Sequence, residues 1–387
     1  MTDAAASRVT IGIGGDIAPI LRNRPLFENA DAAGLFDGLL DKIAGCDVSI
    51  ANLETPLIRR ENPIRKAGPV LGAPDGCVSG LKASGIGWLN LANNHIRDHG
   101  ESGILNTIAV CREAELQVFG AGANLEEARR PAVACVKGTR VGLLGISSQG
   151  ISIAGRNRAG ANPIDPIALW RQLHGPEGSD IMIVLVHAGA SGYQLPSPNL
   201  QSLCRYIVDL GANVVVCQHS HCPGALEEYN GALIVYGQGN LIFDWQPSPG
   251  GAWCEGFWLQ TAFVNRKLDS YRLLPFHQSR RRPGLQEMSE VDAETLLDAI
   301  KQRNSHVASE EYIRKQWEQY CARNANTYAV LLAGRGLGPR LIRRLCDRIG
   351  IAWSPLSRTR RMIFKNLLMC EDHREVLETI LSFGDER

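Results

Sequence analysis

Short apolar runs, each followed by polar residues that can bind a metal ion, recur through the first part of the chain. The runs lie at residues 9–13, 48–51, 88–92, 181–186 and 214–217. Each has the length of a buried β-strand. The polar residues that follow them are Asp16, Glu54, Asn94 with His95, His187, and His219 with His221. Because the carboxyl ends of parallel strands meet at one edge of a sheet, one shared site explains all five coincidences.

Segments of helical periodicity follow several of these runs, which is typical of a βα arrangement. The apolar residues after Gly100 lie at helical spacing, so we expect an amphipathic helix to follow the third run. Apolar positions between residues 35 and 43 predict another helix face. Residues 132–136 and 141–146 predict a hairpin. Up to about residue 284 the pattern therefore favours an α/β fold.

After about Gly284 the apolar residues recur at helical spacing to the end of the chain. We therefore expect one domain over residues 1–284 and an all-helical C-terminal region over residues 285–387. From Arg335 to Lys365 there are nine basic residues and one acid, which favours binding of an anionic polymer or an anionic membrane surface. The alternative is a solvated helix face whose leucines pack inward.

Composition narrows the class of protein and of partner. The chain has 387 residues, 44% hydrophobic and 21% charged, and its formal net charge is +1, so bulk charge predicts no specific nucleic-acid partner. Its 11 cysteines are scattered without a C-x-x-C pair, which is typical of reduced thiols. No apolar run reaches the ~20 residues of a transmembrane segment, and no signal peptide pattern is present. We expect a cytoplasmic protein.

A basic loop after the second run is a further candidate feature. Arg59, Arg60, Arg65 and Lys66 lie among prolines and glycines between residues 59 and 74. Such residues can line the mouth of a site for an anionic substrate. The alternative is a solvated surface loop.

The polar residues at the strand ends match the needs of a two-metal hydrolase, which uses carboxylates, neutral imidazoles and an open position for water. The candidate ligands are Asp16, Glu54, Asn94, His187, His219 and His221. His219 and His221 would point to opposite sides of an extended strand, so both can bind only if the chain turns there. His95 follows Asn94 directly and is suited to donate a proton to a leaving group. Taken singly, each histidine could be structural.

The same residues resemble, in order and spacing, the motifs of the CapA family, which is associated with poly-γ-glutamate capsule synthesis. The motifs are Gly15-Asp16, Asn52-Leu53-Glu54, Leu91-Ala92-Asn93-Asn94-His95, Val186-His187, His219-Ser220-His221 and Gly239-Asn240-Leu241-Ile242-Phe243-Asp244. The resemblance covers residues 9–276. It implies the four-layer α/β/β/α sandwich of the calcineurin-like metallophosphoesterase superfamily. It also implies that the six candidate ligands are metal positions and His95 the acid.

Three departures from this pattern affect the expected chemistry. Ala18 stands where the superfamily's first motif usually has a histidine ligand. The motif that ends in His219-Ser220-His221 begins with Cys217-Gln218 instead of the usual Gly-His, and no membrane anchor is apparent. We expect a divalent metal, Mn²⁺ or Zn²⁺, at two sites that share Glu54. The first would use Asp16 and His221, and the second Asn94, His187 and His219. Because Ala18 cannot coordinate, the first site is expected to be the weaker one.

Three functions are compatible with these residues. The first is a metal-dependent hydrolase or transferase that acts on an amide or phosphoester in poly-γ-glutamate, capsule or peptide polymer biosynthesis, with an anionic polymer or peptide as substrate. The second is a peptide-modifying enzyme, such as a ribosomal-peptide epimerase, in which Asp16 and a histidine move a Cα proton without metal. The third is a non-catalytic scaffold in an envelope or polymer assembly complex.

Overall fold

The computed structural model describes residues 8–148, 150–175, 178–333 and 358–382. Its strands are β1 (Arg8–Ala18), β2 (Val48–Leu53), β3 (Leu57–Ile58), β4 (Ala73–Pro74), β5 (Trp88–Asn90), β6 (Gln117–Phe119), β7 (Ala121–Gly122), β8 (Ala132–Val136), β9 (Thr139–Ser147), β10 (Gly160–Ala161), β11 (Ile181–His187), β12 (Val214–Gln218), β13 (Leu226–Tyr229), β14 (Ala232–Val235), β15 (Asn240–Phe243), β16 (Glu255–Val264), β17 (Lys267–Gln278) and β18 (Leu285–Glu287). Its helices are α1 (Arg24–Glu28), α2 (Ala32–Phe36), α3 (Leu40–Ala44), α4 (Val78–Ala83), α5 (Gly100–Glu113), α6 (Leu125–Arg129), α7 (Pro166–Leu173), α8 (Pro198–Asp209), α9 (Glu290–Val307), α10 (Glu310–Ala333), α11 (Arg358–Met369) and α12 (Glu371–Ser382).

The larger sheet places the first three predicted strands side by side. Its strand order is β18-β17-β16-β1-β2-β5-β6, and β15 also pairs with β1. Strands β1, β2, β5 and β6 are parallel, whereas β16 joins β1 in the antiparallel direction. The parallel strands therefore end at one edge, where Asp16, Glu54 and Asn94 lie.

The smaller sheet supplies the histidines. Its strand order is β13-β14-β12-β11-β9-β8, and β9, β11, β12 and β14 are parallel. Strand β11 ends at His187, which pairs with Gln218, the last residue of β12. The predicted hairpin is confirmed by the antiparallel pairing of β8 with β9.

Apolar side chains fill three interfaces, and these make the fold four-layered. Between the two sheets, Ile11 of β1 and Ile183 of β11 belong to one buried cluster. On the outer face of the larger sheet, Ile104 of α5 packs in a second cluster, and on that of the smaller sheet Leu169 of α7 and Ile207 of α8 pack in a third. The α/β fold class and the predicted four-layer α/β/β/α sandwich are confirmed.

Two glycines and an acid at residues 14–16 predict a turn after the first apolar run. This prediction is wrong, because β1 continues through these residues to Ala18. A Cβ atom on Gly15 would lie 1.9 Å from the carbonyl oxygen of Gly239, so only glycine lets these two segments run this close. The register of β1 against β2 shifts between Ile13 and Asp16. Such a bulge re-aims a side chain, and here it lies directly at Asp16.

Two further elements are shorter than the pattern predicts. The predicted helix face at residues 35–43 is divided between α2 and α3, and between them Gly38 has a φ of +74° that interrupts helical geometry. The third apolar run leaves the sheet at Asn90, well before His95. There the Asn90 side chain accepts a hydrogen bond from the Ala92 amide at 3.0 Å, which replaces strand pairing with a local turn.

Residues 290–333 and 358–382 form the helices α9 to α12, but the larger sheet extends past the predicted boundary. Strand β18 pairs with β17 after residue 284, and Leu296 of α9 packs in the core between the sheets. Trp317 of α10 and Leu367 of α11 instead belong to a separate cluster. The division into residues 1–284 and 285–387 stays a prediction.

The described helices include none that is long and apolar enough to cross a membrane. Residues 334–357, which hold most of the basic stretch between Arg335 and Lys365, lie outside the described residues. Arg358, Arg361 and Lys365 of that stretch lie on α11.

Candidate metal centre

Asp16 is fully buried on β1, between β2 and β15. Its Oδ1 accepts a hydrogen bond from Asn52 Nδ2 at 2.8 Å, and its Oδ2 lies 3.4 Å from His221 Nδ1. Burial opposes ionisation, but the hydrogen bond with His221, the charge of His187 and the hydrogen bond from Asn52 outweigh it and lower the pKa of Asp16. The site therefore holds Asp16 as a carboxylate.

Glu54 follows β2 and is also fully buried. Its Oε1 lies 3.3 Å from His187 Nε2 and its Oε2 lies 3.9 Å from His221 Nδ1. Neither oxygen has a hydrogen-bond partner among the described residues. Burial, and then the charge of Asp16, raise the pKa of Glu54 well above its ordinary value. A buried carboxyl without a partner is costly, and a bound cation would remove that cost.

His187 and Asn94 meet across the interface between the sheets. His187 Nε2 lies 2.8 Å from Asn94 Oδ1, while its Nδ1 lies 3.3 Å from Asn52 Nδ2. Burial lowers the pKa of His187 to about 4, so the imidazole is neutral near pH 7. Neutral imidazole is the form that binds metal ions.

The turn that both terminal histidines require is present. Strand β12 ends at Gln218, and His219 and His221 then have φ values of +91° and +56°, which non-glycine residues rarely adopt. His219 Nδ1 lies 3.1 Å from His187 Nε2, and His221 Nδ1 lies 2.9 Å from Asn240 Oδ1. Strained backbone of this kind recurs at functional sites.

The two terminal histidines differ in their protonation. Burial and the neighbouring imidazoles of His187 and His221 lower the pKa of His219 well below its ordinary value. For His221, burial acts in the same direction, but the charges of Glu54 and Asp16 outweigh it and raise the pKa. One imidazole is therefore kept neutral, and the other partly balances the two carboxylates.

Among the residues that the structure describes, two sets of three ligand atoms lie close enough to hold a metal ion, and both include Glu54. One set comprises Glu54, His219 and His221, and the other comprises Asp16, Glu54 and His187, with the atoms of each set within 4.8 Å of one another. The mixed carboxylate and imidazole donors suit a borderline divalent cation. The sequence-based partition pairs Asp16 with His221 and His187 with His219, and these pairs lie 3.4 and 3.1 Å apart. Which ligands share one ion stays a prediction.

His95 lies beside this set in a hydrogen-bonded group of its own. Its Nδ1 lies 2.6 Å from Asp98 Oδ2 and 3.1 Å from Lys66 Nζ, and Lys66 also pairs with Asp98. Burial, together with the charge of Lys66, lowers the pKa of His95 to about 4, although the hydrogen bond to Asp98 acts in the opposite direction. Asp98 and Lys66 hold Nδ1, which leaves Nε2 as the nitrogen available for proton transfer.

Several residues that support the site were not identified as site residues from the sequence. Asn52 links Asp16 to His187, as described above, and Asn93 Nδ2 donates to the Leu53 carbonyl at 2.8 Å. Trp253 packs on His221 with ring centroids 4.5 Å apart. Asn52 and Asn93 lie inside the quoted motifs, so their position beside predicted ligands was an available signal.

Helix α12 brings a residue to the site that no local pattern indicates. Asp372 Oδ1 accepts a hydrogen bond from the Gly189 amide at 3.1 Å, two residues after His187. Burial raises the pKa of Asp372 to about 6. The contact joins the C-terminal helices to the loop that carries a predicted ligand.

Comparison with known proteins agrees with this arrangement of motifs. The family model described as "Bacterial capsule synthesis protein PGA_cap" matches residues 10–245. The chain is 32% identical over 181 residues to "Capsule biosynthesis protein CapA" of Bacillus anthracis, which is 45% of this chain and 44% of that protein. It is 31% identical over 280 residues to a "Probable polyglutamine synthesis accessory protein" of Mycobacterium tuberculosis, which is 66% of this chain and 72% of that protein.

Among solved structures, a hypothetical protein from Thermus thermophilus superposes with a TM-score of 0.47 at 16% identity, covering 70% of this chain and 99% of the other. The match to the Bacillus anthracis protein spans less than half of that protein's length. The family model, in contrast, matches more than half of this chain and includes every predicted ligand. The chain belongs to the CapA family of bacterial capsule synthesis proteins, whose motifs it carries from Asp16 to Asp244.

Proposed function

We propose that this protein is a metal-dependent hydrolase or transferase that acts on an amide or phosphoester during synthesis of an acidic capsule polymer. The observation that carries the proposal is Glu54. Both of its oxygens are buried without a hydrogen-bond partner among the described residues, and the carboxylate belongs to both candidate metal sets. A buried carboxylate without a partner destabilises the fold, and this offers a scaffold protein no advantage. A metal enzyme, in contrast, needs a carboxylate that is free to bind the cation.

The residues present fit a divalent cation. Asp16 and Glu54 offer carboxylate oxygens, and the neutral imidazoles of His187 and His219 offer nitrogen lone pairs. Asn94 Oδ1, which faces His187 Nε2, offers a neutral oxygen. A divalent metal bound there would supply Lewis acidity and would make a nucleophile available at neutral pH. Mn²⁺ and Zn²⁺ are the ions that this donor set suits best.

His95 is proposed to carry the proton in this reaction. Because Asp98 lies 2.6 Å from Nδ1, it favours the tautomer that has its proton on Nδ1 and its lone pair on Nε2. In that form the ring accepts a proton at Nε2 and returns it to the leaving group. Asp98 and Lys66 act through His95 as positioning residues.

The surroundings of Asp16 support a ligand role over the metal-free epimerase alternative. Asp16 Oδ1 accepts from Asn52, and its Oδ2 accepts from the His219 amide at 3.3 Å and faces His221. A base that removes a Cα proton needs an oxygen free to meet the substrate. Both oxygens here are directed to other members of the site.

The polymer context comes from the family. The family description names capsule synthesis, and the matched relatives are named for capsule biosynthesis and polyglutamine synthesis. An amide-linked acidic polymer is therefore the substrate class we propose. A γ-glutamyl amide should be turned over in preference to a simple phosphoester.

The test combines metal analysis with two model substrates. Protein purified without chelators should contain Mn²⁺ or Zn²⁺ by mass spectrometry, and added metal should raise its melting temperature. Activity should be compared on γ-glutamyl-p-nitroanilide and on bis(p-nitrophenyl) phosphate. Protein that has no bound metal, and whose melting temperature is unchanged by Mn²⁺, Zn²⁺ or Mg²⁺, would contradict the proposal.

A further inference from the structure

A cleft of about 310 Å³ lies between the basic loop and helix α11, next to His95. Five cations line it: Arg65, Lys66, Arg358, Arg361 and Lys365. The other described residues that line it are neutral, and they include the flexible apolar side chains of Met362 and Met369. We call it the cationic cleft. Of the predicted mouth residues, Arg65 and Lys66 reach it, whereas Arg59 pairs with Asp75 at 3.0 Å.

Helix α11 contributes one continuous face to the cleft. Arg358, Arg361 and Lys365 lie three and four residues apart, so they point from the same side of the helix. Leu367, in contrast, is buried and does not line the cleft. Met369 fills the space beside Gly150, where an added Cβ would lie 3.1 Å from the Met369 side chain. The helix is therefore packed against the loop of the smaller sheet.

The cations at the rim of the cleft are available to a ligand. Within the described residues, Arg65, Arg358, Arg361 and Lys365 have no ion-pair partner. Unpaired guanidinium groups bind carboxylates through two parallel hydrogen bonds. Exposed charges of one sign that surround a concave site also attract an oppositely charged ligand before contact.

Lys66 links the cationic cleft to the candidate metal centre. Its side chain is only 6% exposed, and its Nζ lies 3.1 Å from His95 Nδ1 while it pairs with Asp98. A ligand group in the cleft is therefore separated from the proposed proton-transfer residue by a single side chain. The cleft is placed to hold the part of a substrate that adjoins the reacting bond.

We propose that the cationic cleft binds the carboxylates of an acidic peptide chain and that α11 makes it a substrate subsite. This identification as a substrate subsite rests on the proposed function. Arg358 and Lys365 lie seven residues apart, which is about 10 Å along a helix. That spacing suits carboxylates repeated along a chain better than one compact phosphate group. The methionines offer apolar contact to the methylene groups between those carboxylates.

The test measures binding rather than turnover. Fluorescein-labelled penta-L-glutamate is titrated with the full-length protein, and its anisotropy is followed with EDTA and again with Mn²⁺. The variant Arg361→Gln/Lys365→Gln removes two charges from the cleft. Arg314→Gln/Lys315→Gln removes two charges from exposed positions on α10 and serves as the matched control. We expect at least about fivefold weaker binding for the cleft variant and less than about twofold for the control.

Further measurements distinguish specific binding in the cleft from general electrostatic attraction and from binding of other anions. Arg361→Lys should bind the probe more tightly than the cleft variant and less tightly than the wild type, because lysine keeps the charge and lacks the guanidinium fork. Vesicles of phosphatidylcholine with phosphatidylglycerol, and inorganic phosphate as a competitor, test the other anions. Equal losses in both double variants, or unchanged binding in the cleft variant, would overturn the proposal. Tighter binding of the protein to the vesicles than to the probe would overturn it as well. So would displacement of the probe by phosphate at a lower concentration than by the dicarboxylate glutarate.

The test of the cleft can fail or succeed independently of the test of the proposed metal-dependent function. Arg361 and Lys365 are not candidate metal ligands, so the cleft variant should bind Mn²⁺ as the wild type does. Probe binding that depends on the cleft in a protein that binds no metal would reject the hydrolase and keep the cleft only as a binding site for an acidic peptide. A protein that binds metal but gives no cleft-dependent probe binding would reject the subsite alone.

Discussion

The candidate metal centre and the cationic cleft are neighbours, but they treat charge in opposite ways. In the metal centre, carboxylates and imidazoles are buried within a few ångströms of one another, for example Asp16 Oδ2 and His221 Nδ1 at 3.4 Å. In the cationic cleft, Arg361 and Lys365 are exposed and have no ion-pair partner among the described residues. Lys66 connects the two regions, since it lines the cleft and contacts His95 beside the metal centre.

The difference between buried and exposed charges determines what each region can do. Burial makes each charge in the centre expensive, so its members depend on one another and on a cation. Charges in water cost little and are screened by salt, so the cleft can attract a ligand without destabilising the fold. Substitutions in the centre should therefore have large and coupled effects, whereas substitutions in the cleft should have small and separate ones.

The largest expected effect is that of Glu54→Gln, which removes the carboxylate common to both metal sets. The variant should lose the stabilisation by metal, which is about 4 kcal/mol when the metal exceeds its Kd a thousandfold. The raised pKa of Glu54 means that metal-free wild type loses stability as the pH rises above the ordinary glutamate range. Metal-free Glu54→Gln should therefore be the more heat-stable protein at high pH. Calorimetry with and without Mn²⁺ measures both effects.

If Glu54→Gln bound Mn²⁺ as tightly as the wild type, the contrast drawn between the metal centre and the cationic cleft would be wrong. The buried carboxyl would then have a purely structural role. Thr55→Ser, a conservative change at the next buried position, serves as the control for disturbance of the segment after β2.

His95→Ala should lower turnover about 10²- to 10⁴-fold and leave metal content near that of the wild type, because a proton-transfer residue is not a ligand. Asn94→Ala and His219→Ala should lose metal as well as activity. Metal analysis beside the γ-glutamyl-p-nitroanilide assay distinguishes the two classes. If His95→Ala lost metal and His219→Ala kept it, the proposed roles would be reversed.

Docking of α12, which follows the helix that forms the cleft, should weaken as the pH rises. Glu375 accepts hydrogen bonds from Ser197 Oγ and from the Asn199 amide, and burial raises its pKa from 4.5 to about 7. A carboxyl whose pKa is raised by folding contributes stability that is complete below pH 4.5 and is lost as the pH rises through 7, at most about 3 kcal/mol.

Hydrogen exchange of α12 amides between pH 5.5 and 8, corrected for intrinsic rates, measures this loss. Glu375→Gln stays neutral at this position at every pH, so α12 protection should change less than in the wild type. The change that remains is expected from Asp372, whose pKa is raised to about 6. Arg374→Gln, next to it and half exposed, is the matched control. Equal pH dependence in the wild type and in Glu375→Gln would show that this carboxyl does not control the docking.

The smallest effect is expected for Ala18→His, because this change adds a donor beside the metal centre and removes none of its buried charges. Because Ala18 cannot coordinate, titration calorimetry of the metal-free wild type with Mn²⁺ should show one tight and one weak site. Ala18→His should tighten the weak site, although Ala18 is fully buried near Leu71 and Phe243 and the new ring needs space. Ala18→Leu controls for that crowding. Two equal tight sites in the wild type, or no gain from the imidazole, would contradict the expectation.

The residues of the site were predictable because local sequence carries the signal. An apolar run predicts a buried parallel strand, and the residue after the run must then lie at the carboxyl edge of the sheet. The structure brings Asp16, Glu54, His187, His219 and His221 together at that edge. The turn at the terminal histidines followed from strand alternation alone. Their roles as ligands and catalysts stay predictions.

The errors have a common cause in long-range contacts. Residues 14–16 have the composition of a turn, but close approach to Gly239 keeps them in β1. Asp98, Lys66 and Asp372 are charged residues in a turn, a loop and a helix, where charge usually means exposure. Only packing shows that Lys66 and Asp98 are paired beside His95.

By itself, the sequence determined the α/β class and the strand ends that carry polar groups, because both depend on the periodicity of side chains over a few residues. Its short motifs indicated the family, and the resemblance to that family implied the four layers of the sandwich. Only the tertiary structure decided that Glu54 lacks a hydrogen-bond partner among the described residues, and that α11 and the basic loop, about 300 residues apart in the chain, form one cleft. Burial and juxtaposition depend on which surfaces pack together, and that information is distributed over the whole chain.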